Sequence, residues 1–322
     1  MSKENINNKI STIIIGLGGI GFDYDLNNKN VLTHFKSINK NRNFVLSGVV
    51  DIDKNKLIKI KKKFPNLNCF EDYNYAIKTL SPKMVVISTP TTTHLKIIKK
   101  VAKYNCIKYF FIEKPCGENF NQYLKIKNVL KENKKFFYVN LFRSYLINYV
   151  KLFNQLKKAK FLDININYNR GFRNNCSHIF SLMSLIKTLP IKINILSYNL
   201  KKNIDNLNVE LIYKKNCKVK FYSNYEKKNS TFNIDIKSDL GRWISDNSLN
   251  NFYYYNLIKD KEIKGYYKYS DLKKNLKFDT KHIQASVLEK LYKLIIKKKN
   301  NLIKNYDNTF KTLDLIERKI KN

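Results

Sequence analysis

Apolar and polar positions follow two different rhythms along this chain, and the change between them falls near Arg143. In the first half, short runs of β-branched and aromatic residues alternate with longer segments whose apolar residues stand three and four apart. Residues 13–15, 44–50, 84–88, 108–112 and 136–140 predict buried strands, with a shorter one at 68–70. Runs without interruption are what a sheet covered on both faces requires. Between them, residues 32–39, 54–64, 73–80, 94–105 and 119–132 predict helices. Pro65 ends the second of these, and hydroxyls ahead of His94 offer a cap to the fourth. Strands alternating with helices predict a doubly wound parallel sheet with its ligand at the strands' carboxyl ends.

Past Arg143 the period shortens. Residues 161–169 alternate as a half-buried strand, and 177–188 read as one helix. Strand-like runs between 191 and 258, such as 219–223 and 231–236, predict one mostly antiparallel open sheet, and 281–298 and 309–319 predict closing helices. The expected fold class is α/β, with a dinucleotide-type domain over 1–141 and an α+β domain over 142–322. The second domain is expected to form the far wall of the cleft and to join copies of the chain through its sheet.

Three β-branched residues run directly into Gly16-Leu17-Gly18-Gly19-Ile20-Gly21, where four of the chain's nine glycines lie. In a G-x-G-x-x-G turn of this kind, Gly16 permits the tight turn and Gly18 lets a pyrophosphate approach the backbone. Gly21 lets the next helix pack closely, and free N–H groups at that helix start hold phosphate. Asp51, at the end of the second strand, is placed to grip ribose hydroxyls. The interval from Gly21 to Asp51 exceeds the usual ~20 residues, because a polar stretch at 22–30 that does not read as helix is inserted. The expected cofactor is NAD, with NADP left open by the neighbouring Lys54.

Charge changes this picture little. The net charge of +37 invites a nucleic-acid reading, but only six of the 62 basic residues are arginine, and base and phosphate recognition favours arginine's fork. Lysine is abundant together with Asn, Ile, Tyr and Phe, as AT-rich coding produces, so no specific nucleic-acid partner is expected. Five cysteines without C-x-x-C spacing argue for reduced thiols in a cytoplasmic protein, and against zinc or a disulfide frame. No apolar stretch reaches 18 residues and no signal core precedes the first strand, so no membrane association is expected.

Several motifs occur in an order that resembles the Gfo/Idh/MocA oxidoreductases, relatives of glucose–fructose oxidoreductase and inositol dehydrogenase. They are the glycine turn, then Ser88-Thr89-Pro90-Thr91 with His94, Glu113-Lys114-Pro115 directly after a strand, and Asn174-Asn175-Cys176-Ser177-His178. The resemblance implies a Rossmann fold in which Gly16, Gly18, Gly19, Ile20, Gly21, Asp51, Ser88, Thr89, Pro90, Thr91, His94, Glu113 and Lys114 line the cofactor. It implies hydride exchange with a secondary alcohol or ketone of a sugar or nucleotide-sugar, in a setting such as surface-polysaccharide biosynthesis. Lys114 is then the acid–base group beside the nicotinamide, with His178 working on the same oxygen at the start of a helix. Many relatives carry aspartate where this chain has Asn174, which can orient a hydroxyl but cannot take its proton. A catalytically silent dinucleotide sensor of the same fold is the alternative. Arg143, Arg170 and Arg173, half of all the arginines, flank this proposed site and suggest recognition of an anionic substrate group. His34 and His282 carry no motif.

Overall fold

The uninterrupted apolar runs become six parallel strands. The computed structural model describes residues 9–197, 206–224, 231–246, 250–298 and 302–321. β1 (Ile10–Ile15), β2 (Phe44–Val50), β3 (Cys69–Phe70), β4 (Met84–Ile87), β5 (Tyr109–Ile112) and β6 (Phe136–Val139) pair in the order β3-β2-β1-β4-β5-β6. Strand order reverses between β1 and β4, so the connections leaving their carboxyl ends diverge there and open a crevice. Ile13, Ile14, Val85, Val86, Phe110 and Ile112 are fully buried, as a sheet layered on both faces demands.

The connecting helices are α1 (His34–Lys40), α2 (Lys54–Lys63), α3 (Tyr73–Leu80), α4 (Thr91–Val101) and α5 (Phe120–Glu132). Thr33, Asp53, Asp72 and Asn119 cap four of them by accepting first-turn N–H groups. α4 differs from expectation: it starts three residues early, behind Pro90, and has no side-chain cap. The segment after the glycine turn also departs from the usual pattern. Only a single π turn (Gly19–Asp23) follows, and the polar stretch intervenes before α1.

The chain divides into two compact units, one of residues 1–146 with 281–303 and one of residues 147–280 with 304–322. The sequence division at 141/142 places 281–303 in the second domain, whereas α8 (Ile283–Ile296) packs within the first unit, against α1 and the turn Phe142–Ser144. Backbone bonds from Val31 N–H to Lys281 O (2.7 Å) and from Gln284 N–H to Val31 O (3.2 Å) fasten it to the inserted stretch.

The second unit holds α6 (Ile147–Leu156), β7 (Leu162–Tyr168), α7 (Phe172–Met183) and seven further strands. These are β8 (Lys192–Ser197), β9 (Asn208–Tyr213), β10 (Cys217–Ser223), β11 (Phe232–Ser238), β12 (Gly241–Ser245), β13 (Asn251–Lys259) and β14 (Tyr267–Lys277). Their order is β14-β13-β12-β11-β7-β10-β9-β8, antiparallel throughout except for β7 with β10. Parts of the strand-like run between 191 and 258, at 198–205, 225–230 and 247–249, lie outside the described residues. Alternation buries one side of the sheet, where Phe172 and Phe180 of α7 meet Phe221 edge-on and tilted at 5.5 and 5.2 Å. The other side carries half-exposed residues such as Arg242, Ile244, Tyr253 and Tyr255.

Two helical boundaries here differ from the sequence reading, and one helix is absent from it. α7 begins at Phe172 rather than 177, because Gly171 (φ 91°) turns the chain and the buried Phe172 anchors a polar first turn of poor intrinsic propensity. α9 (Ile303–Lys321) begins six residues early, and its buried Tyr306, Phe310 and Leu313 show the helical spacing that marks it. α6, unread in the sequence, buries Tyr149, Leu152, Phe153 and Leu156 at the same spacing.

Candidate active site

At the end of β1 the backbone turns with Gly16 at φ +100°, and a Cβ there would meet the Ser88 carbonyl carbon at 2.7 Å. The ends of β1 and β4 therefore touch at a point only glycine can occupy. Ser88 Oγ donates to Gly16 O (2.8 Å), locking the contact. A Cβ on Gly21 would collide with Gly16 O, so Gly21 serves the fold-back of the π turn over the loop rather than packing of a long helix. Gly18 is different, because a Cβ there would have nothing within 4 Å. The N–H groups of Gly19 and Ile20 open the π turn, where no intrahelical acceptor exists. Open space against exposed donors suits a pyrophosphate, although one short turn supplies a weaker dipole than the expected helix.

Asp51 is buried, with Oδ2 accepting from Leu17 N–H (2.7 Å) and Oδ1 from Asp53 N–H (2.9 Å). Each carboxylate oxygen keeps a lone pair for a ribose hydroxyl. Lys56 Nζ, 3.5 Å from Oδ2, tempers its negative charge. Beside it Ile52 is 90% exposed, an apolar surface that an adenine ring would cover. These features fit a dinucleotide cofactor.

Beyond β4, Thr93 Oγ1 lies 2.7 Å from both Thr89 Oγ1 and Pro90 O. His94 is fully buried, with Nε2 2.9 Å from Thr89 O and Nδ1 3.2 Å from Cys116 O. Burial lowers its pKa, against the opposing pull of the two carbonyls and Glu113. A neutral ring donates to one carbonyl at a time, and when it donates to Cys116 O it ties α4 to the loop after β5.

Glu113 and Lys114 follow β5, with a cis bond from Lys114 to Pro115. Glu113 is buried, and its Oε1 accepts from His34 Nε2 (2.7 Å) and Asn140 Nδ2 (2.6 Å). Burial raises its pKa, but those bonds and the Lys114 charge outweigh burial and hold the carboxyl below its ordinary value. Lys114 is half-buried. Burial depresses its pKa, Glu113 opposes the shift, and the nearby Arg143 adds to it. Arg143 is itself buried, its guanidinium carbon 4.6 Å above the Phe142 ring. An ammonium so placed gives up its proton more readily than a solvated lysine.

In the second unit His178 is buried within α7, in its second turn rather than opening the helix, and exposed Asn174 lies one turn earlier on the same face. Arg173 Nη2 is 2.6 Å from Glu317 Oε2 of α9, so its fork is partly committed within the fold. Burial raises the Glu317 pKa, and Arg173 pulls it back. Arg170 is exposed, in the left-handed region (φ 59°). Arg143 stands beside Lys114 in the first unit, and Arg170 and Arg173 belong to the second.

His34, Asn140 and Ile52 were not singled out by sequence reasoning. The position of Asn140 at a strand's carboxyl end was the available signal for it, and Ile52 follows the strand-end aspartate. His34 offered none. Among the described residues there is no cluster of three or more His, Cys, Asp or Glu able to hold a metal, and no helix is long and apolar enough to cross a membrane.

Residues 10–141 match an oxidoreductase family with an NAD-binding Rossmann fold. Among curated proteins, none matches the sequence. Solved structures match along most of the chain at low identity. A Gfo/Idh/MocA family oxidoreductase from Vibrio cholerae gives a TM-score of 0.73 at 12% identity, covering 97% of this chain and 98% of that one. The UDP-N-acetylglucosamine 3-dehydrogenase of Acidithiobacillus ferrooxidans gives 0.71 at 11%, covering 96% and 97%. A mutant 3-ketoreductase from Actinomadura kijaniata, in complex with TDP-benzene and NADP, gives 0.74 at 10%, covering 97% and 98%. At such identities the likeness concerns the fold.

Proposed function

We propose, from the match of residues 10–141 to the Gfo/Idh/MocA oxidoreductase family with its NAD-binding Rossmann fold, that the protein oxidises or reduces a sugar or nucleotide-sugar at a secondary alcohol or ketone. The observation that carries this reading is Lys114, a lysine of depressed pKa set between a locked carboxylate and a buried arginine at the carboxyl end of β5. When bound, the nicotinamide accepts or donates the hydride. In the oxidative direction Lys114 Nζ takes the hydroxyl proton as the carbon is oxidised, and in reverse it returns that proton to the carbonyl oxygen. Such acid–base help contributes ~10²–10⁴ in rate.

Gly16 to Gly21, Asp51, Ile52 and the Ser88–Thr91 turn would hold the cofactor, with NAD preferred modestly because Lys56 already offsets Asp51. In the second unit His178 and Asn174 are the candidates for contact with substrate. Sugar nucleotides are favoured because two structural neighbours are described with such substrates or a thymidine-diphosphate ligand. We infer also that two copies pair through the open side of the eight-stranded sheet, where Arg242 is matched by Asp235 (2.8 Å) and Lys218 by Glu210 (3.7 Å).

The test is a panel of neutral and acidic sugars and UDP- and TDP-sugars with NAD(H) and NADP(H), followed at the nicotinamide absorbance. One class should turn over, and Lys114→Ala should slow it by ~10²-fold with cofactor affinity little changed. Tight NADH binding without any turnover would favour the silent sensor. Near-normal turnover in Lys114→Ala would remove that residue from the chemistry.

A further inference from the structure

A carboxylate taken out of water is costly unless hydrogen bonds replace its hydration. Glu113 obtains them from two elements remote in sequence: His34 at the start of α1 and Asn140 just after β6, both on Oε1. The peptide N–H of Lys114 reaches the other oxygen at 3.2 Å. The His34 ring is 2% exposed and stands edge-on to Phe111 at 5.3 Å, so the contact is made away from bulk water. We propose that His34 is a positioning residue for the reaction, one that keeps Glu113 ionised and fixed beside Lys114 and so governs when Lys114 carries its proton. The inference deepens the proposed function and rests on its assignment of Lys114.

The charged groups around this point leave a clear direction. Glu113 raises the proton affinity of Lys114, Arg143 of the turn after β6 lowers it, and His94 of α4 also feels the Glu113 charge. Without His34, burial is opposed chiefly by Asn140 and Lys114, and Glu113 takes up a proton more readily. With its Oε1 less firmly held, Glu113 spends less of the time ionised and fixed beside Lys114, while Arg143 remains. Lys114 releases its proton at a lower pH than in the native protein.

This can be read without knowing the substrate. The full chain is trace-acetylated with acetic anhydride across a pH series, and modification of the Lys114 peptide is followed by mass spectrometry. In His34→Phe, which keeps the ring's bulk and removes the donor, the Lys114 midpoint should fall by about one pH unit. In His34→Gln, whose amide can still donate, it should fall by less than about half of that. Glu113→Gln, which removes the charge outright, should give at least as large a fall, and the double variant His34→Phe/Glu113→Gln should add nothing to that of Glu113→Gln, since His34 acts through Glu113. Should His34→Phe not fold, His34→Leu, which also fills the site without a donor, decides by the same midpoint. An unmoved midpoint on removing the donor, or equal falls in His34→Phe and His34→Gln, would overturn the proposal and leave the role of Lys114 standing. Normal turnover in Lys114→Ala would do the reverse, removing Lys114 from catalysis while the midpoint still reports on His34.

Discussion

Gly16 and Gly18 stand two residues apart and are needed for opposite reasons. At Gly16 the backbone sits at φ +100° against the Ser88 carbonyl, so Gly16→Ala forces strain into the junction of β1 and β4. That substitution should cost ~1–3 kcal/mol, seen as a lower denaturation midpoint. At Gly18 the backbone is extended (φ −75°, ψ −167°), a conformation any residue adopts, and the space beyond is open. Gly18→Val should leave the thermal midpoint unchanged and weaken NADH binding at least ~10-fold, about 1.4 kcal/mol, by blocking phosphate approach. Undiminished NADH fluorescence titration in Gly18→Val would show that the loop is not the phosphate cradle.

Among elements, the stretch between the π turn and α1 decides most about this site. α1 has seven residues, too few to be stable alone. Its entry is held by buried Asp25, which accepts from Leu32 N–H (2.6 Å), Thr33 N–H (3.0 Å) and Thr33 Oγ1 (2.8 Å). Lys36 Nζ, bonded to the carbonyls of Asp25 and Asn28, closes the same loop. Asp25→Ala would strand three donors in or near the interior and should cost ~2–4 kcal/mol, at ~1–3 for each stranded buried group with partial relief by water. Since His34 directly follows Thr33, amide exchange in α1 should quicken. Unchanged urea unfolding and unchanged α1 exchange would mean that the insertion is held by other contacts.

For the whole molecule, a net charge of +37 opposes any pairing of copies. On the open side of the eight-stranded sheet, proposed above for pairing, Asp235 and Glu210 offset Arg242 and Lys218 beside half-exposed Ile244, Tyr253 and Tyr255. Sedimentation should show dimers at micromolar concentration that strengthen as salt screens the remaining charge. Ile244→Glu should yield monomers at every salt concentration. A native chain that is monomeric throughout would sink the pairing.

The sequence by itself determined the layered architecture of the first unit. Burial on both faces makes parallel strands continuously apolar, so 44–50 and 84–88 could be read to within a residue of β2 and β4. It also determined the glycine turn and the placing of Lys114 at a strand's end, because turn chemistry is local. Tertiary structure alone decided the rest. His34 meets Glu113 across 79 residues, Arg173 spends part of its fork on Glu317, and residues 281–303 return to the first unit. α7 starts early because packing of Phe172 overrides the weak propensity of the polar turn behind it. A hydrogen bond or ion pair between distant side chains needs only one atom in the right place, and it leaves no period in the sequence by which to find it.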